Sequence, residues 1–368
     1  MREVVSPRSG MATLVLMFMG GSIVYGIGKQ AGADTWLAVI AAVLLAVPMI
    51  LIYARLVDLS PNHDVLETME QALGRPLASV VVIIYGWYAL QVMYESVSNL
   101  GNFVVVAGLT ETPKVVPALS LLLISLLAAK LGIEVLTRWS GVLLVVIILI
   151  SVSAFVLVLQ EVDLTNFLPV LYNGVLPVAV GTLSLLEFPF LEAVIFMFSG
   201  AAYQRPGGAR QVMIWGHFLA GAVILFIISL TIAVVGPQIY QMLYYPVYGA
   251  VSRIDVAGFL TRLEFTVSFI FLITTFVKTS VCLIAACRCV GFLMGESNYT
   301  YFATPLALSG IVGTFWIAEG TLEMEEMALQ LWPPLELAVQ LILPAAIWIT
   351  AEIRLKKGKE PGTKKAPA

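Results

Sequence analysis

Apolar residues along this chain come in long unbroken runs, and the polar and charged residues gather between the runs. A bilayer core about 30 Å thick takes roughly 20 apolar residues per helix. Cutting the runs at that length gives ten spans, near residues 11–28, 35–57, 77–107, 115–131, 136–159, 175–199, 211–237, 261–291, 301–318 and 334–353. Strands of a membrane barrel would alternate instead, and only helices or closed barrels satisfy every backbone group in lipid. The predicted fold class is therefore all-α and integral to a membrane.

Five spans per half set the second half upside down relative to the first, because an odd number of crossings reverses the starting side. The chain reads as a ten-helix domain over residues 1–353, with inverted repeats about 11–159 and 175–353, and a basic cytoplasmic tail over 354–368. The third and eighth spans are both unusually long, as corresponding, strongly tilted helices would be. Spans one and six are the interrupted pair. Gly20, Gly21 and Ser22 fall near the middle of the first, with Gly26 and Gly28 after them, and the stretch from Thr182 to Pro189 carries a proline into the sixth. A glycine weakens a helix by about 1 kcal/mol relative to alanine, and a proline removes a backbone donor. Both spans are expected to be discontinuous, and matched interruptions in the two halves point to a binding site near the midplane. Close helix packing through small residues is the other reading of either interruption.

Composition agrees with the pattern. Over 368 residues the chain is 60% hydrophobic and 12% charged, with a mean hydropathy of +0.96, whereas soluble domains are typically about 45–50% apolar. Fifteen of the 20 lysines and arginines fall on the N-terminal side, among them Arg2, Arg8, Arg55, Arg75, Lys130, Arg138 and the tail cluster, so both termini are expected in the cytoplasm. The opposite side collects Asp34, Glu111, Glu161, Asp163, Asp255, Glu319, Glu323, Glu325 and Glu326. The tail is expected to lie against anionic membrane lipid. The first run leads into Gly-Lys-Gln and not into a small-residue cleavage site, so no signal peptide is expected. Cys282, Cys287 and Cys289 crowd one end of span eight without the paired spacing of a zinc site, and packing is their expected role.

Charged residues also sit deep inside spans: Glu95 in the middle of the third, Glu187 and Glu192 in the sixth, and Lys278 in the eighth. Each costs about 2.5–3.5 kcal/mol at the bilayer centre on insertion scales, so each should face the protein interior beside a partner. Glu95 with Lys278 is one candidate pair. Thr274 and Thr275 lie one turn from Lys278, and this cluster could replace a bound sodium ion or form an internal salt bridge. Glu192 could serve proton coupling or lock two helices together. Unwound helix halves offer N–H groups to a carboxylate and carbonyls to an ammonium. On that basis Gly20, Gly21, Ser22, Tyr94, Glu95, Ser184 and Glu187 are the candidate ligand-binding residues. Glu187 would repel a ligand carboxylate unless protonated or paired, or would hold a ligand ammonium. The tyrosines of the outer loop, Tyr240, Tyr244, Tyr245 and Tyr248, suit an interface belt or a gate. His63 and His217 lie far apart with no nucleophile or metal-ligand spacing, so no enzyme activity, cofactor, metal site or nucleic-acid partner is expected.

Several segments carry a resemblance. Tyr245-Pro-Val, Phe259-Leu-Thr-Arg-Leu-Glu264 and Phe276-Val-Lys278, together with Asn173-Gly-Val-Leu-Pro177 leading into Phe188-Pro-Phe-Leu-Glu192, resemble the B subunit of spore germinant receptors, the spore permease family. The resemblance implies the ten-helix fold of the amino acid, polyamine and organocation transporter superfamily. It further implies a nutrient sensor in the spore inner membrane or cell membrane, acting beside an A subunit and a lipoprotein C subunit on a small amino acid or similar germinant. Carried over by motif, Arg262, Glu264 and Pro189 would be structural or gating residues, Lys278 would stand near the cation position, and the sixth-span segment would help form the ligand site. A proton-coupled amino acid transporter on the same fold is the alternative expectation.

Overall fold

The structure is a computed structural model that describes residues 4–60, 62, 64–107, 111–203, 207–252, 264–318 and 320–357. His63, Arg262 and the tail after Lys357 lie outside the described residues. In chain order the helices are α1 (Pro7–Ser22), α2 (Thr35–Leu59), α3 (Val65–Leu73), α4 (Arg75–Val106), α5 (Val115–Leu131), α6 (Ile133–Val158), α7 (Val175–Glu187) and α8 (Ala193–Phe196). Then follow α9 (Gly208–Val235), α10 (Pro237–Met242), α11 (Pro246–Val251), α12 (Glu264–Met294), α13 (Ala303–Ile317), α14 (Thr321–Gln330), α15 (Trp332–Leu337) and α16 (Leu343–Lys357). The last two join through a π turn at Ala338–Ile342. Among the described residues eight helical stretches are long and apolar enough to cross a membrane. With the shorter α1 and α5, of 16 and 17 residues, they complete the ten spans.

Packing follows the inverted repeat. Spans two and seven meet as α2 on α9, and spans three and eight as α4 on α12, so each of these helices packs on its own counterpart. Other contacts come in exchanged pairs: α1 lies on α9 while α7 lies on α2, and α1 lies on α6 while α7 meets α15. Such an exchange is what a twofold axis in the membrane plane produces. A parallel ladder of two residues per strand, β1 (Val4–Val5) with β2 (Ala202–Tyr203), ties the N-terminal segment to the end of span six. The cysteines are buried free thiols.

Both expected breaks are present, and the first is displaced. Helix α1 continues through Gly20, Gly21 and Ser22, and the backbone unwinds only over residues 23–28, where Gly28 takes a left-handed φ of 64°. Two of these residues serve close approach instead. A Cβ at Gly20 would stand 2.9 Å from Lys278 Cδ, and one at Gly21 would stand 3.0 Å from the Phe188 ring. Side chains from spans eight and six thus cross span one where it has no side chain of its own. In span six, α7 stops at Glu187, Phe188 is extended, and short helical turns resume from Phe190. Neighbours close the open carbonyls that both breaks create: Tyr240 Oη donates to Ile27 O at 2.8 Å, and Gln340 Nε2 donates to Glu187 O at 3.2 Å. Gln340 sits in the π turn, so an irregularity in span ten serves the break in span six.

On the N-terminal face one guanidinium joins three elements. Arg288 of α12 reaches Asp64 Oδ2 at 2.7 Å, and the same Asp64 caps α3 by accepting from Leu66 N at 3.0 Å. A Cβ at Gly200, whose φ is 75°, would fall 1.1 Å from Arg288 Nη1. Only glycine fits there.

Span nine packs on span three through small residues. A Cβ at Gly313 would fall 2.4 Å from the Tyr94 ring, whose hydroxyl is 2.9 Å from Ser309 Oγ. Overpacking of this kind typically costs about 1–3 kcal/mol. Gly313→Ala is therefore expected to lower the melting temperature of the purified protein in detergent, and an unchanged melting curve would contradict the packing described.

Candidate functional site

The two breaks face a common cavity of about 140 Å³, lined by residues 25–27 of the first break, Ser184, Glu187 and Phe188 of the second, Glu95 and Asn99 of α4, and Trp332 and Glu336 of α15. A water needs roughly 10–15 Å³ of such room, so the chamber has room for several waters or a small organic molecule. A second chamber of about 20 Å³ adjoins it, between Gly21, Phe271, Thr275 and Lys278, and shares Glu95, Asn99 and Phe188 with the first.

Lys278 is placed by α12 opposite the glycines of α1. Its Nζ donates to both oxygens of Glu192, at 2.7 and 2.9 Å, and lies 4.6 Å from the Phe188 ring centroid. The lysine is 4% exposed and the glutamate 2%, so this is a desolvated, bidentate, charge-assisted pair, with an aromatic face adding cation–π attraction. The partner of Lys278 is therefore Glu192 and not Glu95. Glu95 Oε1 instead accepts from Gln91 Nε2 at 3.0 Å.

Glu336 is the functional-looking residue that the sequence reading missed. It is 5% exposed, and its carboxylate accepts from Gln91, Tyr88 and Gln340 at 3.4, 3.5 and 3.4 Å. The signal was available, since an ionisable residue two positions inside the last apolar run obeys the same rule that singled out Glu95. Its place just after Trp332-Pro-Pro gave it the look of a span boundary.

The remaining candidates divide by position. Glu95, Ser184 and Glu187 line the outer chamber, and Gly21, Thr275 and Lys278 the inner one. The Glu187 carboxylate has no hydrogen-bond partner among the described residues although the residue is only 7% exposed. Thr275 Oγ1 is likewise buried and unpartnered, whereas Thr274 Oγ1 donates back to Ile270 O at 2.9 Å. Gly20 lies behind Lys278. Ser22 Oγ donates to Phe18 O within its own helix, and Tyr94 turns toward Ser309, so neither lines a chamber. Pro189 heads the turns after the break, and Glu264 opens α12 on the face opposite the N-terminus, lining neither chamber.

The cavity mouth lies on the face opposite the N-terminus. Tyr25 stacks edge-on to Tyr244 at 5.3 Å, and Tyr245 meets Phe103 at 5.1 Å. The outer-loop tyrosines therefore pack inward over the first break. Beside them Lys29 pairs with Glu325 of α14, which draws that short helix across the opening.

A ten-span inverted repeat with two broken helices around a central chamber defines the class: a membrane protein with a solute-transporter fold. Residues 5–319 match the spore germination protein family, the spore permeases, and the chain belongs to that family. It is 24% identical over 357 residues to spore germination protein KB of Bacillus subtilis (strain 168), covering 96% of each. Among solved structures it is similar to Mhp1, a nucleobase-cation-symport-1 family transporter in a closed conformation with bromovinylhydantoin bound, at 14% identity. The TM-score is 0.70, over 94% of this chain and 78% of that one. The inward-facing conformation of Mhp1 gives a TM-score of 0.58 at 14% identity, over 96% and 76%.

Removing one member of a buried ion pair strands the other charge and typically costs about 3–5 kcal/mol, whereas replacing both by apolar residues can be near neutral. Lys278→Met alone is expected to lower the melting temperature sharply, and Lys278→Met with Glu192→Leu to recover most of the loss. A double variant no more stable than the single one would show that the two residues do not act as a pair.

Proposed function

We propose that the protein is the nutrient-sensing subunit of a spore germinant receptor, binding a small amino acid or similar germinant in the outer chamber and signalling to A and C subunits. Ligand contacts fall to Glu95, Ser184 and Glu187. Lys278, with Glu192 beside it, fills the place of a coupling cation. The carrying observation is the convergence of both helix breaks on one chamber into which an unpartnered, nearly buried carboxylate, Glu187, opens. Membership of the spore germination protein family gives that chamber its context. The protein sits in the spore inner membrane or cell membrane with both termini in the cytoplasm, as the distribution of basic residues favours.

Ligand acts by binding one arrangement of the two halves more tightly than another, since only differential affinity moves such an equilibrium. The arrangement most exposed to it is the break in span six, where Glu187 meets the ligand and Glu192, five residues on, holds Lys278. A shift at the first is felt at the second.

A proton-coupled amino acid transporter is the second reading, favoured by the likeness to a symporter fold and by a carboxyl, Glu192, already bound to the cation of span eight. Uptake of labelled amino acids into liposomes separates the two. The sensor reading expects no gradient-driven uptake, a germinant-dependent thermal shift of the protein with its partner subunits, and loss of a germination response on deletion. Uptake driven by a pH gradient and abolished by Glu192→Gln would establish the transporter instead.

A further inference from the structure

We propose that the cavity selects a positively charged ligand, an amine or a basic amino acid, over a neutral zwitterion. This rests on the reading of the chamber as the ligand site and names the class of ligand it takes. Five carboxyl groups line the outer chamber, those of Glu95, Glu187, Glu192, Glu325 and Glu336, while the two chambers together present two ammonium groups, Lys29 and Lys278. Both cations are engaged, Lys29 by Glu325 and Lys278 by Glu192. Three carboxyls therefore lack a cation among the described residues. Glu95 and Glu336 share the amide of Gln91 at 3.0 and 3.4 Å, and the Glu187 carboxylate has no hydrogen-bond partner among the described residues.

A zwitterion brings a carboxylate of its own into this surplus and meets no unengaged cation among the described residues of the two chambers. The backbone offers it little. The N–H groups of Ile23, Val24, Tyr25 and Ile27 in the first break already bond chain carbonyls, which leaves the Gly26 N–H as the single chamber-lining donor of that break among the described residues, and the helical piece α8 beyond the second break is four residues long and preceded by Glu192. Helix α7, by contrast, ends at Glu187 on the cavity wall, and a helix C-terminus carries partial negative charge. An ammonium there meets the Glu187 carboxylate, that helix end, and a wall containing the rings of Tyr25, Tyr244 and Trp332, which attract cations through their faces. The unpartnered Thr275 hydroxyl in the inner chamber adds a further acceptor for a longer diamine.

The test is calorimetric titration of the full-length protein in nanodiscs at pH 7 with propylamine, 1,4-diaminobutane, lysine, alanine and propionate. The amines and lysine are expected to bind at least tenfold more tightly than alanine, with no binding of propionate. Glu187→Gln is expected to weaken amine binding at least tenfold; Glu336→Gln, judged by the same criterion, replaces it if the first variant does not fold. Alanine binding as tightly as the amines, or amine binding untouched in a folded variant, overturns the charge selectivity and leaves the germinant site standing. Failure of every compound to bind the unaltered protein overturns the site along with it.

Discussion

The structure turns on a lysine held by a glutamate in the middle of the bilayer. Neither charge is tolerable there alone, so Lys278 and Glu192 fix the distance between span eight and the inner half of span six, and everything nearby is arranged around that distance. Gly20 has no side chain because the lysine stem passes over it. The ring of Phe188 covers the ammonium, and it can do so because span six has stopped being helical one residue earlier. Break, glycine and ion pair are one construction. Remove the need to bury the charge and the other two lose their reason.

Around that construction the two halves of the chain play unequal parts. Span six contributes its carboxylates and the open end of α7, whereas span one contributes an unwound segment and a passage for side chains from elsewhere. Span ten, which in the first repeat corresponds to span five, supplies Glu336 from α15 and Gln340 from a π turn that has no counterpart in α6. The inverted symmetry holds for the helix axes and fails at the chamber, which is where a site for an asymmetric molecule must depart from it.

The ten spans were legible because lipid demands long apolar runs, and the break in span six because proline lacks a donor. The first break was legible only to within a few residues. Gly20-Gly21-Ser22 looks weaker as a helix than the segment after it, yet local propensity was overridden by the lysine and the phenylalanine packed against the two glycines. The partner of Lys278 was not legible at all, since Glu95 and Glu192 both lie at span midpoints and only the three-dimensional packing chooses between them. The same holds for Lys29 with Glu325, which meet across 296 positions of sequence. Tyr94 and Ser22 looked like cavity residues by composition, and their rotational position on their helices turns them elsewhere.

Lys278 and Arg288 stand on one helix ten positions apart, about 15 Å along its axis. The first grips the inner half of the interrupted span six just past its break, through Glu192, and the second lies in the notch of Gly200 at the end of that half and holds Asp64 at the head of α3. A stiff rod fastened at two points to the same jointed segment acts as a connecting strut. A tilt of that half of span six carries the strut with it and, through Asp64, the loop between spans two and three, so the chamber wall and a loop on the N-terminal face are joined by one rigid connection.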